Sequence, residues 1–177
     1  MSKNLSISTA EPAPFALPVG AAEPLHALLD TWRTIAVQRD PIVDDFDVDA
    51  LLDTFAGLAL IDRTLDPLGR TDFFYRRIGA DHEKQVGRPL EGLTFRDVMG
   101  TRTQARLIEA YCRIFDAGEP NFWQMANAVA GAPPVYYQRL VVPLFEATES
   151  GLQPAGGHGR VASVLGVWVW DPVGRKC

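Results

Sequence analysis

The order of the apolar segments most constrains the fold of this chain. Two strand-like segments, 57–63 and 72–80, precede a helical region, and three more, 120–129, 133–145 and 160–170, follow it. Most of them are rich in the β-branched and aromatic residues that favour strands. Because strands flank a helical insertion instead of alternating with helices, the order predicts an α+β fold with one five-stranded antiparallel sheet.

Helical periodicity appears before and between these strands. Segments 22–38, 47–57 and 101–118 carry their large apolar residues at helical spacing, whereas glycines and a proline divide 80–100 into short helical pieces. The sequence therefore predicts four parts: a flexible N-terminal arm over 1–21, a helical cap over 22–56, a sheet domain over 57–171 and a tail over 172–177.

Composition narrows the classes of function. The chain has 177 residues and a formal net charge of −5, which gives no basic surface for nucleic acid. No apolar run approaches the ~20 residues of a membrane span, and the N-terminus lacks the apolar core of a signal peptide. Two cysteines and three scattered histidines provide neither a disulfide framework nor metal-ligand spacing. We expect a cytoplasmic protein without a metal, nucleic acid or membrane partner.

Two adjacent arginines stand out in the strand "DFFYRRIGA", residues 72–80. Side chains alternate along a strand, so Tyr75 and Arg77 are predicted on one face and Arg76 on the other. A buried guanidinium costs several kcal/mol unless it is paired, and its planar fork pairs best with a carboxylate or phosphate. Arg77 therefore indicates an anionic ligand, a structural ion pair with an acid such as Asp62 or Asp81, or a cap on backbone carbonyls.

The polar residues of the strands suggest a binding pocket more than a catalytic site. The strand interiors 73–79, 121–129, 135–145 and 161–170 contain no Asp, Glu or His. General acid–base catalysis needs such a group beside its substrate, so a cone-shaped α+β enzyme of the nuclear-transport-factor-like type is the less favoured interpretation. The predicted ligand-binding residues are Arg77, Tyr75, Arg139, Tyr137, Gln124 and Asn127.

The first helix presents an apolar stripe that needs a partner. We expect this stripe to dock on the sheet or on a second chain, because it is too apolar to remain in water. Trp168 and Trp170 share one face of the last strand, since they are two residues apart. They either pack in the core or form the sheet surface beneath the first helix. The predicted cap or dimer residues are Leu25, Leu28, Trp32, Ile35, Trp168 and Trp170.

Four stretches resemble the PAS superfamily of sensor modules, and more narrowly a bacterial branch of single-domain PAS-like proteins. They are "LLDTWRTIAVQRDPIVDDFDVDALL", "FFYRRIGADHEKQVGRPLEG", "FDAGEPNF" and "YYQRLVVPLFEATESG". The resemblance implies short helices over one face of a five-stranded sheet, a pocket between them, an N-terminal helical cap and frequent dimerisation. The family pattern also favours arginine at the positions of Arg77 and Arg139.

The resemblance implies no particular cofactor. Flavin-binding light sensors of this superfamily carry an Asn-Cys-Arg motif on a helix before the longest one, and the sequence has no such motif. Haem sensors need an axial histidine, whereas His82 lies in the first short helical piece, where we expect it at the surface. No cofactor is therefore predicted.

Together these features predict a sensory or regulatory module. It would bind a small-molecule ligand, anionic if an arginine holds it, or a signalling partner protein, and it would act in trans as a homodimer. The alternative from the same residues is a structural dimerisation or scaffold module with a filled core.

Overall fold

The computed structural model describes residues 15–127, 135–147 and 159–171, except for the side chains of 101, 102, 125–127, 135 and 171. Most of the predicted N-terminal arm, the tail over 172–177 and the centre of the glycine-rich connection before the last strand lie outside the described residues. Among the described helices, none is long and apolar enough to cross a membrane.

Five antiparallel strands form one sheet in the order β2–β1–β5–β4–β3, which confirms the predicted α+β architecture. The helices between β2 and β3 join opposite edges of this sheet, so they must cross one of its faces. The strands are β1 (Leu58–Leu65), β2 (Thr71–Ile78), β3 (Asn121–Asn127), β4 (Val135–Phe145) and β5 (Val161–Asp171).

Five helices cover the two faces of the sheet. The first begins with Pro24 in its first turn, and the last ends at Gly118, whose φ of 65° is the left-handed conformation that glycine adopts without strain. A single 3-10 turn, Val43–Asp45, lies between the first two. The helices are α1 (Glu23–Ala36), α2 (Val48–Thr54), α3 (Ala80–Val86), α4 (Phe95–Val98) and α5 (Thr101–Ala117).

One face of the sheet, which we call the cap face, is covered by α1 and α2. Leu25, Leu28 and Leu29 of α1 are buried against it, and the indole nitrogen of Trp32 donates to the carbonyl oxygen of Pro143 at 2.8 Å. Ile35 packs against the same core. The predicted helical cap is therefore confirmed, and it docks on the sheet of its own chain. The strand residues that it buries are Leu58, Leu60, Leu140, Val142, Leu144, Leu165 and Val167.

The opposite face, which we call the aromatic face, lies under α3, α4 and α5. Phe73 of the edge strand β2 packs there among three rings, and its ring centroid lies 5.2–5.4 Å from those of Phe95, Tyr111 and Phe115. Tilted ring pairs at this separation add to the stability that burial provides. The aromatic residues of β2 and α5 thus form a core separate from the aliphatic core of the cap face.

A β-bulge in β2 places Arg77 on the cap face. Leu60 pairs with Arg77 and the next residue, Ile61, pairs with Tyr75, so Arg76 is the extra residue. Because directly opposite residues share a face, Arg77 lies with the cap-face residue Leu60. The prediction that Arg77 faces the same side as Tyr75 is wrong, because it assumed unbroken alternation.

Trp168 and Trp170 lie on the aromatic face. Leu165 and Val167 of β5 are buried in the cap-face core. Because side chains alternate along a strand, Trp168 and Trp170 point to the opposite face. Trp168 packs against the aromatic core, and its ring centroid lies 4.6 Å from that of His82. The proposal that α1 covers the two tryptophans is therefore wrong, whereas their packing in the core is confirmed for Trp168.

Candidate functional site

Arg139 lies at the centre of the aromatic face, in the middle of β4. The strand registers place it directly opposite Trp123 of β3 on one side and Trp168 of β5 on the other. Tyr111 approaches it from α5. Alternation along β4 puts Tyr137 on the same face. We call the surrounding set the arginine chamber: Tyr75, Tyr111, Trp123, Tyr137, Arg139, Trp168 and Trp170.

The guanidinium of Arg139 is enclosed by aromatic rings. Its residue is 1% exposed. The central carbon lies 4.1 Å from the ring centroid of Trp123, 5.2 Å from that of Tyr111 and 5.5 Å from that of Trp168. Each separation is within the range in which a cation is attracted to the face of a ring. The rings therefore stabilise the charge, but they accept few hydrogen bonds.

The hydrogen bonds of Arg139 are incomplete. Its Nη1 donates to the hydroxyl oxygen of Tyr111 at 3.4 Å, which is a long hydrogen bond. Its Nε and Nη2 are buried and have no acceptor in the part of the chain that the structure describes. Within the described ranges, no carboxylate forms an ion pair with Arg139. Cation–π contacts contribute about 2 kcal/mol when desolvated, whereas a buried unpaired charge costs several kcal/mol. Among the described residues, no anionic side chain therefore neutralises the charge of Arg139.

A second buried donor in the chamber also lacks an acceptor. The indole Nε1 of Trp170 has no hydrogen-bond partner. Trp170 pairs with Tyr137 across β4 and β5, and their ring centroids lie 4.8 Å apart. Arg139 and Trp170 thus present N–H groups on the same face, in a part of the molecule that has too few acceptors. Most buried polar groups are satisfied in native proteins, so two such residues together are a functional signal.

The tyrosines of the chamber are neutral at physiological pH. Burial raises the pKa of Tyr75, Tyr111 and Tyr137 above its ordinary value of 10, although Arg139 opposes that effect. Each phenol therefore keeps its proton and is suited to hydrogen bonding. None can act as a general base near neutral pH.

His82 forms a wall beside the two tryptophans. It is buried, and its Nε2 lies 3.0 Å from the carbonyl oxygen of Gly57, to which the ring donates. Its ring meets those of Trp168 and Trp170 edge-on, at 4.6 and 6.0 Å. Burial lowers its pKa to about 4, so it carries no charge at neutral pH. The expectation that His82 lies at the surface is wrong.

Arg77 is held by surface acids and lies outside the chamber. Its Nη1 pairs with Asp49 of α2 at 2.5 Å and its Nε lies 3.4 Å from Glu91. Arg76 pairs with Asp62 at 3.8 Å. Of the three interpretations of Arg77, the structure shows the ion pair, although with acids other than Asp62 and Asp81.

Gln124 also lies outside the chamber. It is exposed and pairs with Gln138, whose side chain accepts from the backbone N–H of Ala22 on the cap face at 2.8 Å. Asn127 belongs to β3, and its side chain lies outside the described residues. Of the six predicted ligand-binding residues, the structure brings together Tyr75, Tyr137 and Arg139.

Sequence reasoning did not assign Trp123 and Tyr111 to the site. Trp123 faces Arg139 only through the register of β3 and β4, which their separate patterns do not determine. Tyr111 belongs to the apolar stripe of α5 and looks like an ordinary core residue. A polar hydroxyl within an apolar stripe was the one available signal.

Comparison with known proteins yields structures only. No protein-family model matches the sequence, and no curated protein shows significant similarity to it. Similar solved structures include the light state of the LOV domain of the blue-light photoreceptor Aureochrome1, with 14% identity, a TM-score of 0.43, and coverage of 72% of this chain and 91% of that one.

Two further structures of light-oxygen-voltage (LOV) domains are similar. One, described with a flavin analogue, has 16% identity, a TM-score of 0.44, and coverage of 73% of this chain and 87% of its own. A fungal LOV photoreceptor has 13% identity, a TM-score of 0.40, and coverage of 72% and 93%. LOV domains belong to the PAS superfamily, which the sequence resembles. These likenesses identify no ligand-binding residue in this chain.

Proposed function

We propose that this chain is a sensory or regulatory module that binds a small organic anion in the arginine chamber. The observation that carries the proposal is Arg139, a guanidinium that is 1% exposed and has two donor nitrogens without an acceptor. A bound anion would supply both the missing charge and the missing acceptors. The ligand-binding role, predicted for Arg77 as well as Arg139, is thereby assigned to Arg139.

We propose binding without catalysis. The described chamber residues include no Asp or Glu, and the tyrosines are protonated at neutral pH. His82, the nearest imidazole, is neutral and donates to the carbonyl of Gly57. These groups are suited to recognising a molecule, but they offer no general base near neutral pH.

Gly57 connects the chamber to helix α3, so ligand binding in the chamber can change the position of that helix. Its carbonyl oxygen accepts from the backbone N–H of Trp168 at 2.9 Å and from His82 at 3.0 Å. A Cβ on Gly57 would lie 2.0 Å from the carbonyl oxygen of Trp168, so only glycine fits this close approach between the turn before β1 and β5. A ligand that displaces Trp168 would therefore shift α3, in the region 80–100 that we expect to move.

The remaining parts of the proposal concern partners. We propose that the module acts as a cytoplasmic homodimer and signals in trans to a partner protein, through α3 or the cap. The alternative is a scaffold in which the aromatic face is a filled core. That alternative requires the rings alone to stabilise Arg139, and it assigns no purpose to the unpaired nitrogens of Arg139 and Trp170.

Native mass spectrometry of the purified full chain tests the proposal. We expect wild-type protein to carry a co-purified small molecule, or to acquire one from a mixture of organic anions. Arg139→Met should abolish this added mass. The matched control, Arg76→Met, removes an arginine whose side chain is 49% exposed, and it should retain the mass. The same mass in wild type and Arg139→Met, or no added mass in any protein, would contradict the proposal.

A further inference from the structure

Resting on the proposed function, we infer that the chamber recognises a flat monocarboxylate, such as an aryl carboxylate, through the side edge of Arg139. A planar guanidinium presents its five N–H groups along three edges. Nε and Nη2 lie on one edge, with their N–H bonds pointing the same way. These are the two nitrogens that have no acceptor, while Nη1 contacts Tyr111. The vacant edge is therefore a two-pronged donor that matches the two oxygens of a carboxylate.

The charge of the chamber limits the charge of the ligand. Arg139 is the one cation among the described chamber residues, since His82 beside it is neutral. Arg63, on the same face, is already paired with Asp116 at 2.8 Å. A second negative charge on the ligand would be buried without a partner, which is costly. A monoanion therefore fits the chamber better than a phosphate or a dicarboxylate.

The rings around Arg139 favour a flat ligand. The central carbon of the guanidinium lies over the Trp123 ring at 4.1 Å and within 5.5 Å of the ring centroids of Tyr111 and Trp168, so an anion bound to Arg139 would lie among aromatic rings. A carboxylate bound side-on lies in the plane of the guanidinium. A body conjugated with that carboxylate stays in the same plane and can stack on the flat rings that surround Arg139. An aromatic ring satisfies this geometry, whereas a puckered ring does not.

Trp170 gives the ligand a preferred polar end. Trp168 is directly opposite Arg139. Trp170 lies two residues further along β5, about 7 Å from Trp168. The indole N–H of Trp170 has no acceptor. An oxygen at the far end of an aromatic ring lies at a comparable distance from its carboxylate. A para-hydroxyl group should therefore strengthen binding.

The test measures binding of five probes to the full chain by thermal unfolding and by tryptophan fluorescence. The probes are 4-hydroxybenzoate, benzoate, cyclohexanecarboxylate, benzamide and inorganic phosphate. We expect the first two to bind in that order, cyclohexanecarboxylate to bind about tenfold more weakly than benzoate, and the others not to bind. The protein variants are wild type, Arg139→Met, Arg139→Lys and the control Arg76→Met.

The Arg139→Lys variant distinguishes recognition by two parallel hydrogen bonds from recognition by positive charge alone. Arg139→Lys keeps the positive charge but cannot donate two parallel hydrogen bonds. We expect it to bind benzoate at least about tenfold more weakly than wild type, whereas Arg76→Met should bind normally. Full binding by Arg139→Lys would overturn the side-edge assignment.

The outcomes distinguish this inference from the proposed function. Binding of phosphate or benzamide as strong as that of benzoate would overturn the ligand class. The ligand class would also be overturned if no probe binds while native mass spectrometry still detects an Arg139-dependent molecule. In that case the proposed function stands. Absence of both probe binding and an Arg139-dependent molecule would overturn the inference and the proposed function together.

Discussion

The two faces of the sheet differ in the side chains that they bury. The cap face is aliphatic: leucines and valines of the strands meet Leu25, Leu28 and Leu29 of α1, and the polar contact of Gln138 there is satisfied. The aromatic face encloses Arg139 and His82 among tyrosines, phenylalanines and tryptophans. The core of the cap face is therefore mainly aliphatic, whereas the core of the aromatic face encloses a guanidinium and an imidazole.

The difference indicates where function lies. Protein interiors satisfy nearly all of their buried polar groups, and departures from that pattern concentrate at functional sites. The cap face provides stability through burial, at roughly 1.5–3 kcal/mol for each large side chain. Under the proposed function, this stability offsets the cost of the unpaired donors on the aromatic face. The predictions below test whether the two faces can be separated in this way.

The cap face should show the largest loss of stability. Leu28 is 2% exposed in the cap-face core. We expect Leu28→Ala to lower the free energy of unfolding by about 3 kcal/mol, through lost burial and the cavity that remains. Urea unfolding followed by circular dichroism measures this change, and binding of a chamber ligand to the folded protein should be unaffected.

Leu68→Ala is the matched control, because Leu68 is 76% exposed in the turn between β1 and β2. It should change the free energy of unfolding by less than about 0.5 kcal/mol. Equal effects at the two leucines would show that α1 does not dock on the sheet in solution.

The aromatic face should respond to acid. Burial lowers the pKa of His82 in the folded protein from its ordinary value of 6.5 to about 4, while the hydrogen bond to Gly57 and the charge of Asp81 oppose this effect. Between these values the unfolded chain binds more protons than the folded one, so stability falls as the pH falls from about 6.5 toward 4. At pH 5 the loss from this residue is about 2 kcal/mol relative to pH 7.

Replacement of the histidine isolates its contribution. We expect His82→Asn, measured by urea unfolding at pH 7 and pH 5, to lose about 2 kcal/mol less between the two pH values than wild type. A pH dependence identical to that of wild type would show that His82 is not buried as the structure places it.

The two strand arginines should have the smallest effects. The side chain of Arg77 is 38% exposed and its partner Asp49 is 73% exposed, so solvent weakens their attraction. We expect Arg77→Met to cost less than about 1 kcal/mol, and Arg76→Met about the same. Thermal unfolding measures both. A much larger loss of stability in Arg77→Met, or a loss of ligand binding in that variant, would show that Arg77 contributes to the binding site.

Much of the fold could be predicted from the sequence because it depends on short-range pattern. The five strands, the helices α1, α2 and α5, and the docking of α1 follow from periodicity and from apolar stripes that must be buried. The face of Arg77 could not be predicted, because a single bulge at Arg76 reverses it and no residue type marks a bulge there. The same uncertainty of register hid the pairing of Trp123 with Arg139.

The site was predictable only in part. Arg139, Tyr137 and Tyr75 were identified as candidate ligand-binding residues, and alternation within β4 suffices to place Arg139 and Tyr137 together. Burial of His82 was missed because α3 is short and polar, and its packing depends on Trp168 of a strand that is distant in sequence. Long-range contacts between elements, not local propensity, decide such positions.

The most direct test of the central claim is the stability of Arg139→Met without ligand. Wild type and variant would be refolded from denaturant and dialysed to remove bound molecules, and their free energies of unfolding measured in urea. If the charge of Arg139 is unpaired without ligand, the free energy of unfolding of Arg139→Met should be about 1 kcal/mol higher than that of wild type, because an unpaired buried charge is removed. Benzoate should then stabilise only the wild type. A variant about 3 kcal/mol less stable than wild type, with no effect of benzoate on either protein, would contradict the account and show that Arg139 is part of a filled core.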